Sequence, residues 1–256
     1  MSAVTADSVL GVLDEAADAV ARVLAATADW GPSGRRHDQY RSDLAADDAA
    51  LAVLARARLW VVSEESGVTR PEAPVWVALD PLDGSTNAHR RVPWYATSLC
   101  AVDADGPLAA VVVNLASGVR FRAMRGEGAW QDGVRLQSSG ETDLAESFVT
   151  LSGWPPEHFG WKQCRTMGAA ALDLCSVGSG MFDGFVDCAR QAHGVWDYLA
   201  GALVCTEAGG HVFDAFGRDL AVRDHAARRT PVGAATAVLA RALADRRRAI
   251  EDRLPA

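Results

Sequence analysis

No apolar run in this chain approaches the roughly 18 residues that a membrane-spanning helix needs, so no span is expected. The N-terminus carries Asp7, Asp14, Glu15 and Asp18, with no basic segment ahead of an apolar core, so no secretory signal is evident. Cysteines are few and unpatterned: Cys100, Cys164, Cys175, Cys188 and Cys205 are odd in number, widely spaced and never form C-x-x-C. They read as small buried side chains in a reducing, cytoplasmic setting rather than as a disulfide framework. The six histidines (His37, His89, His158, His193, His211, His225) lack ligand spacing, which argues against a zinc centre. Positive charge is also short. With 25 basic against 33 acidic side chains the formal charge is −8, and no electrostatic footprint for nucleic acid is apparent. The one basic run, Arg246-Arg247-Arg248, sits among Ala, Leu, Asp and Glu and reads as a solvated helix face. What remains is ordinary globular composition in a chain of 256 residues, long enough to bury a sizeable core.

Apolar spacing predicts an amphipathic helix over residues 7 to 30, stopped by Gly31-Pro32-Ser33-Gly34. A polar link from Arg35 to Arg41 leads to a second helix from Ser42-Asp43 to about Arg58. Asp43, Asp47 and Asp48 fall in its first turns, where carboxylates complement the helix dipole. Trp60-Val61-Val62 reads as a short strand ending in Ser63-Glu64-Glu65-Ser66. Further strands are expected over Pro93 to Val102, Leu108 to Leu115 and Val119 to Met124, the last two as a hairpin. Gly126-x-Gly128 lacks the third glycine of a dinucleotide fingerprint. A C-terminal helix is expected from about Ala234 to Leu254.

The organising stretch is Val75 to Asn87. An apolar strand (Val75 to Leu79) ends in two carboxylates, Asp80 and Asp83, on either side of Pro81-Leu82, and Gly84-Ser85-Thr86-Asn87 follows where a helix can begin. A buried strand thus delivers acidic ligands to its C-terminal edge, next to backbone N–H groups able to hold an anion. Carboxylates beside an anion site repel a phosphate unless divalent cations lie between them. Metal-assisted phosphate chemistry follows.

Asp80-Pro81-Leu82-Asp83-Gly84-Ser85-Thr86-Asn87 resembles the signature of the inositol monophosphatase family of Mg²⁺-dependent, lithium-sensitive phosphatases. Three further stretches extend the resemblance over most of the chain: Ser63-Glu64-Glu65-Ser66, with serine where family members usually carry glycine; Gly168-Ala169-Ala170; and Trp196-Asp197 through Glu207-Ala208-Gly209-Gly210. The resemblance implies an α/β (α+β) fold, a layered α-β-α-β-α sandwich, as a single domain over 1–256 with subdomains, if any, near 1–145 and 146–256. It also implies a homodimer and two or three Mg²⁺ ions per site, with Mn²⁺ as a substitute and Li⁺ as an inhibitor. By the same resemblance one ion is held by Glu64, Asp80 and the carbonyl of Leu82, and a second by Asp80, Asp83 and Asp197. Gly84 and Ser85 hold the phosphate, while Asp43, Glu64 and Ser85 orient the attacking water. Gly168 and Ala169, with Asp83 and Asp197, approach a small phosphorylated metabolite. Many members carry a hydroxyl residue at the position of Ala169.

Substrate is less determined. Counting back seven residues from Asp197 gives Arg190, where inositol monophosphatases generally carry a glutamate that contacts substrate hydroxyls. Archaeal-type members that also hydrolyse fructose 1,6-bisphosphate are similar over Val186-Asp187-x-x-Arg190, and a guanidinium there can pair with a second phosphate or a carboxylate. Inositol 1-phosphate ranks first and fructose 1,6-bisphosphate second. Histidinol phosphate and nucleotide 3′-phosphates follow. A lapsed phosphatase kept for a regulatory role is the reading from another class; it predicts eroded ligands, and Glu64, Asp80, Asp83 and Asp197 are all present.

Overall fold

The computed structural model describes residues 6–36, 39–69 and 73–254; His37 and part of the polar link before the second helix lie outside the described residues. Helix α1 (Ala6–Ala26) buries Val9, Leu13, Ala16, Val20 and Leu24, the stripe its spacing predicts. It ends short of residue 30 because Thr27 turns back on it: the hydroxyl donates to the Val23 carbonyl at 2.8 Å and the N–H to that of Leu24. Helix α2 (Arg41–Arg56) packs beside it.

Both helices cover one face of an eight-stranded sheet. Its strands are β1 (Trp60–Ser63), β2 (Gly67–Thr69), β3 (Trp76–Asp83), β4 (Ala96–Asp103), β5 (Gly106–Asn114), β6 (Arg120–Met124), β7 (Gly128–Gln131) and β8 (Val134–Arg135), in the order β2-β1-β3-β4-β5-β6-β7-β8. Among the described residues of this sheet only β1 and β3 run parallel, so both finish at the same edge. A short helix α3 (Ser85–Arg90) follows β3.

A second, five-stranded sheet is made of β9 (Phe148–Ser152), β10 (Gln163–Arg165), β11 (Gly184–Asp187), β12 (His211–Asp214) and β13 (Pro231–Ala234), ordered β10-β9-β11-β13-β12. Helices α4 (Ala170–Gly178) and α5 (Val195–Glu207) lie between the two sheets, and α6 (Ala237–Ala249) covers the outer face of the second. The C-terminal helix starts later than Ala234, because that residue is paired in β13 with Gly184 and His211; Thr236 then caps α6, its hydroxyl accepting the Leu239 N–H. A single-turn 3-10 segment, Glu251–Arg253, closes the chain's described part.

Alternation along the strands divides the core. Val61, Val77, Leu79, Leu99 and Val111 pack under α1 and α2, whereas Trp60, Val62, Trp76, Ala78 and Val112 pack against α4 and α5. Leu174 and Phe185 extend the second cluster, while Val149, Leu151 and Val186 meet Leu239 and Leu243 of α6. The expected α-β-α-β-α layering is what forms. Fully buried leucines such as Leu13, Leu79 and Leu99 each contribute about 1.5–3 kcal/mol by leaving water.

Candidate metal and phosphate site

The same alternation aims the acidic side chains. In β1, Trp60 and Val62 face the α5 layer and Val61 faces the helices behind the sheet. Ser63 continues the second set: its hydroxyl donates to Asp47 of α2 at 2.5 Å. Glu64 is therefore turned toward α5. In β3, Trp76 and Ala78 face α5, and Asp80 is next in that series.

Strict alternation would send Asp83 to the opposite face from Asp80. A bulge prevents it: Asp80 pairs with Ser98 and Asp83 with Ala96, so three steps on β3 oppose two on β4. Leu82 accordingly packs with Leu79 on the α1–α2 side, and Asp83 swings back beside Asp80. Asp80 accepts the Leu82 N–H at 2.9 Å across this irregularity. The fourth carboxylate arrives with α5, where Asp197 lies in the first helical turn and accepts the Gly194 N–H at 2.6 Å. It caps its own helix and faces the sheet edge at once.

Oxygens of Glu64, Asp80 and Asp197 come within 4.8 Å of one another. Asp83 stands beside this trio with one oxygen accepting the N–H of Ala171 in α4 at 2.8 Å. Burial raises the carboxyls of Glu64, Asp80 and Asp83 well above the usual range, and repulsion among the acidic groups, including Asp197, pushes the same way. A buried, all-oxygen cluster of this kind is short of positive charge and suits a hard cation such as Mg²⁺.

The turn beside the cluster is built on glycine. Gly84 has φ of +80°, and a Cβ there would lie 3.0 Å from the Gly168 carbonyl oxygen and 3.1 Å from that of Trp94. Backbone contact this close brings the turn before α3 against Gly168-Ala169, which opens α4. Asn87 locks the junction, its amide donating to the carbonyls of Trp94 and Met167, both at 2.8 Å. Ser85 begins α3 next to this turn.

Asp43 caps α2, accepting the Tyr40 N–H at 2.8 Å; burial raises its carboxyl to about 7, with Glu65 adding to the effect. Glu65 takes structural partners, pairing with Gln39 and, at 3.1 Å, with Arg36. Glu207, at the far end of α5, ties down the N–H groups of Gly126 and Gly128. Arg190 is engaged elsewhere: its guanidinium donates to the Glu251 carbonyl and lies 3.6 Å from that residue's carboxylate, clipping its loop to the C-terminal turn.

Two buried groups near the cluster escape a motif-based reading. Asp173 accepts the Trp94 indole N–H at 2.8 Å, and burial raises it to about 7. His193 lies 3.5 Å from Asp197. Counted only among scattered histidines, it carries one usable signal, the i,i+4 spacing to Asp197.

A model of the inositol monophosphatase family matches residues 36–251. The chain belongs to that family. It is 38% identical over 183 residues to a fructose-1,6-bisphosphatase/inositol-1-monophosphatase of Archaeoglobus fulgidus, which covers 70% of this chain and 71% of the relative. A fructose-1,6-bisphosphatase of Pyrococcus furiosus is 32% identical over 192 residues, 74% of this chain and 75% of that one. In fold, the inositol monophosphatase of Anabaena superposes with a TM-score of 0.78 at 24% identity, over 97% of both chains. Members are Mg²⁺-dependent phosphatases of small phosphorylated substrates, consistent with the acidic cluster here. Among the described residues no helix is long and apolar enough to cross a membrane.

Proposed function

We propose that this protein is a Mg²⁺-dependent phosphomonoesterase whose substrate is inositol 1-phosphate, released as inositol and phosphate. The observation carrying the reading is the convergence of Glu64, Asp80 and Asp197 within 4.8 Å, beside the Gly84 turn. Glu64, Asp80, the Leu82 carbonyl, Asp83 and Asp197 would hold Mg²⁺, which supplies Lewis-acid polarisation of the phosphoryl group and a more acidic water. The N–H groups of Gly84 and Ser85 hold phosphate oxygens, and Ser85, with Asp43 and Glu64, orients water in line with the ester bond. Attack forms a bond from the water oxygen to phosphorus as the P–O ester bond breaks, and the proton the water gives up balances the one taken up by the departing oxygen, which leaves as the alcohol. Gly168 and Ala169 bound the substrate's ring. Asp83 and Asp197 accept hydrogen bonds from its hydroxyls. A homodimer, with Mn²⁺ replacing Mg²⁺ and Li⁺ inhibiting, belongs to the same proposal.

Fructose 1,6-bisphosphate is the second reading. The names of the Archaeoglobus and Pyrococcus relatives favour it; the engagement of Arg190 with Glu251, away from a second phosphate, weighs against it. The deciding experiment is phosphate release with Mg²⁺ from inositol 1-phosphate, fructose 1,6-bisphosphate, histidinol phosphate and adenosine 3′,5′-bisphosphate, with a Li⁺ arm. Inositol 1-phosphate should lead. If Arg190→Gln loses activity on fructose 1,6-bisphosphate alone, and that substrate leads, the second reading replaces the first.

A further inference from the structure

His193 is buried at the site, yet no step above uses it. Its Nδ1 lies 3.5 Å from Oδ2 of Asp197. On the other side of the ring, Nε2 lies 2.9 Å from the Ser152 hydroxyl and 3.7 Å from Oδ1 of Asp187. Ser152 and Asp187 are the last residues of β9 and β11, neighbouring parallel strands that pair there. Asp187 is fully buried; Oδ1 accepts the Ala189 N–H at 2.8 Å, and Oδ2 has no hydrogen-bond partner among the described residues. The imidazole therefore spans the gap from the edge of the second sheet to the first turn of α5.

We propose that His193, braced by Ser152 and Asp187, is a positioning residue that fixes the Asp197 carboxylate for cation binding. The inference rests on the metal reading of the site. Among the described residues Asp197 is otherwise anchored at Oδ2 by a single backbone N–H, that of Gly194. One anchor leaves the carboxylate free to rotate about its last side-chain bond. A second donor on the same oxygen fixes that angle and leaves Oδ1 for the cation shared with Glu64 and Asp80. Groups behind metal ligands commonly change metal affinity by about 10–100-fold when removed. The first sheet supplies Glu64 and Asp80, and the second sheet, through His193, orients the ligand that α5 contributes.

The test is Mn²⁺ titration of the full chain without substrate, followed by electron paramagnetic resonance, with melting temperatures measured in parallel. Three variants are compared: His193→Leu, which removes both polar ends; His193→Asn, whose amide reaches the Asp197 side; and His193→Gln, whose amide reaches the Ser152 side. We expect His193→Leu and His193→Gln to weaken Mn²⁺ binding about tenfold, with His193→Asn keeping most of the wild-type affinity. Should His193→Leu not fold, the Asn and Gln variants still decide. Equal affinity in those two, or an affinity order that follows melting temperature instead of donor position, overturns the proposal, as does a wild-type protein that binds no Mn²⁺. A wild type that binds Mn²⁺ but releases no phosphate from any substrate removes the proposed function and leaves this inference standing on the affinity order.

Discussion

Asp80, where the bulge in β3 begins, and Asp214, the last residue of β12, are both 1% exposed, and they behave in opposite ways. Asp214 accepts N–H groups from Phe216, Arg218 and Thr230, and a two-point contact from the Arg218 guanidinium at 2.9 and 2.7 Å. Burial alone would raise its carboxyl, but these donors outweigh it and the group sits below the usual range. Asp80 has the Leu82 N–H and then faces Glu64, Asp83 and Asp197, so burial and repulsion both raise it. The chain satisfies one aspartate itself. It leaves the other among like charges, which is how a buried acid marks a candidate site.

The largest effect that tests this contrast is at Asp80. Asp80→Asn should cost phosphate release about a thousandfold, on the scale of the several kcal/mol that metal-assisted charge stabilisation supplies. The same change should raise the melting temperature of the protein in EDTA, since it removes one like charge from the buried cluster. An Asp80→Asn protein that melts below wild type in EDTA would break the comparison, because the cluster would then be self-sufficient in the way Asp214 is.

Asp214→Asn should act on stability and spare turnover below the unfolding transition. Losing the two-point contact, with amide hydrogens now facing backbone donors, should destabilise by roughly 2–3 kcal/mol in urea unfolding. The pH dependence has a definite sign. A carboxyl held low in the folded protein contributes stability that is fully present above its unfolded pKa, near about 3.9, and is lost as pH falls through the lower folded value. The gap between wild type and Asp214→Asn should thus be wide at neutral pH and narrow below about pH 4. A gap that does not narrow on acidification would show that shape rather than charge sets the effect.

The difference between the two aspartates is only partly legible in the sequence. Asp80 announces itself through its neighbours Pro81, Asp83 and Gly84, because ligands close together in the chain leave a compact pattern. The strand reading also gives the parity that turns Glu64 and Asp80 to one face. The bulge that brings Asp83 to their side is not visible, since it depends on the pairing of β3 with Ala96 and Ser98 of β4. His193 was hidden for a related reason: its partners Ser152 and Asp187 lie on β9 and β11, and only their parallel pairing brings them under the ring. Arg190 is a case of another kind. Counting sets it seven residues before Asp197, while the guanidinium donates to the carbonyl of Glu251, 61 residues on, a contact that no spacing reveals.

The smallest predicted effect concerns a third buried acid, Asp47, and the serine that stands where family members usually carry glycine. Ser63 donates to Asp47 through its hydroxyl, which also accepts the Glu65 N–H at 3.1 Å, and Ser66 donates to the other Asp47 oxygen. Asp47 is thus held by two hydroxyls rather than a guanidinium, and burial keeps its carboxyl raised despite them. It stands between Asp214 and Asp80, partnered but not neutralised. Ser63→Gly should cost about 1 kcal/mol, the net worth of one hydrogen bond, seen as a lower urea midpoint. Turnover should change little, because the Ser63 side chain points to α2 while Glu64, one residue later, points to α5. If turnover falls sharply with the midpoint unmoved, the two faces of β1 are coupled. The Ser63 carbonyl, which lies 3.0 Å from Nε2 of His225, is the route to examine, since the His225 ring packs at a tilt against Trp196, next to Asp197.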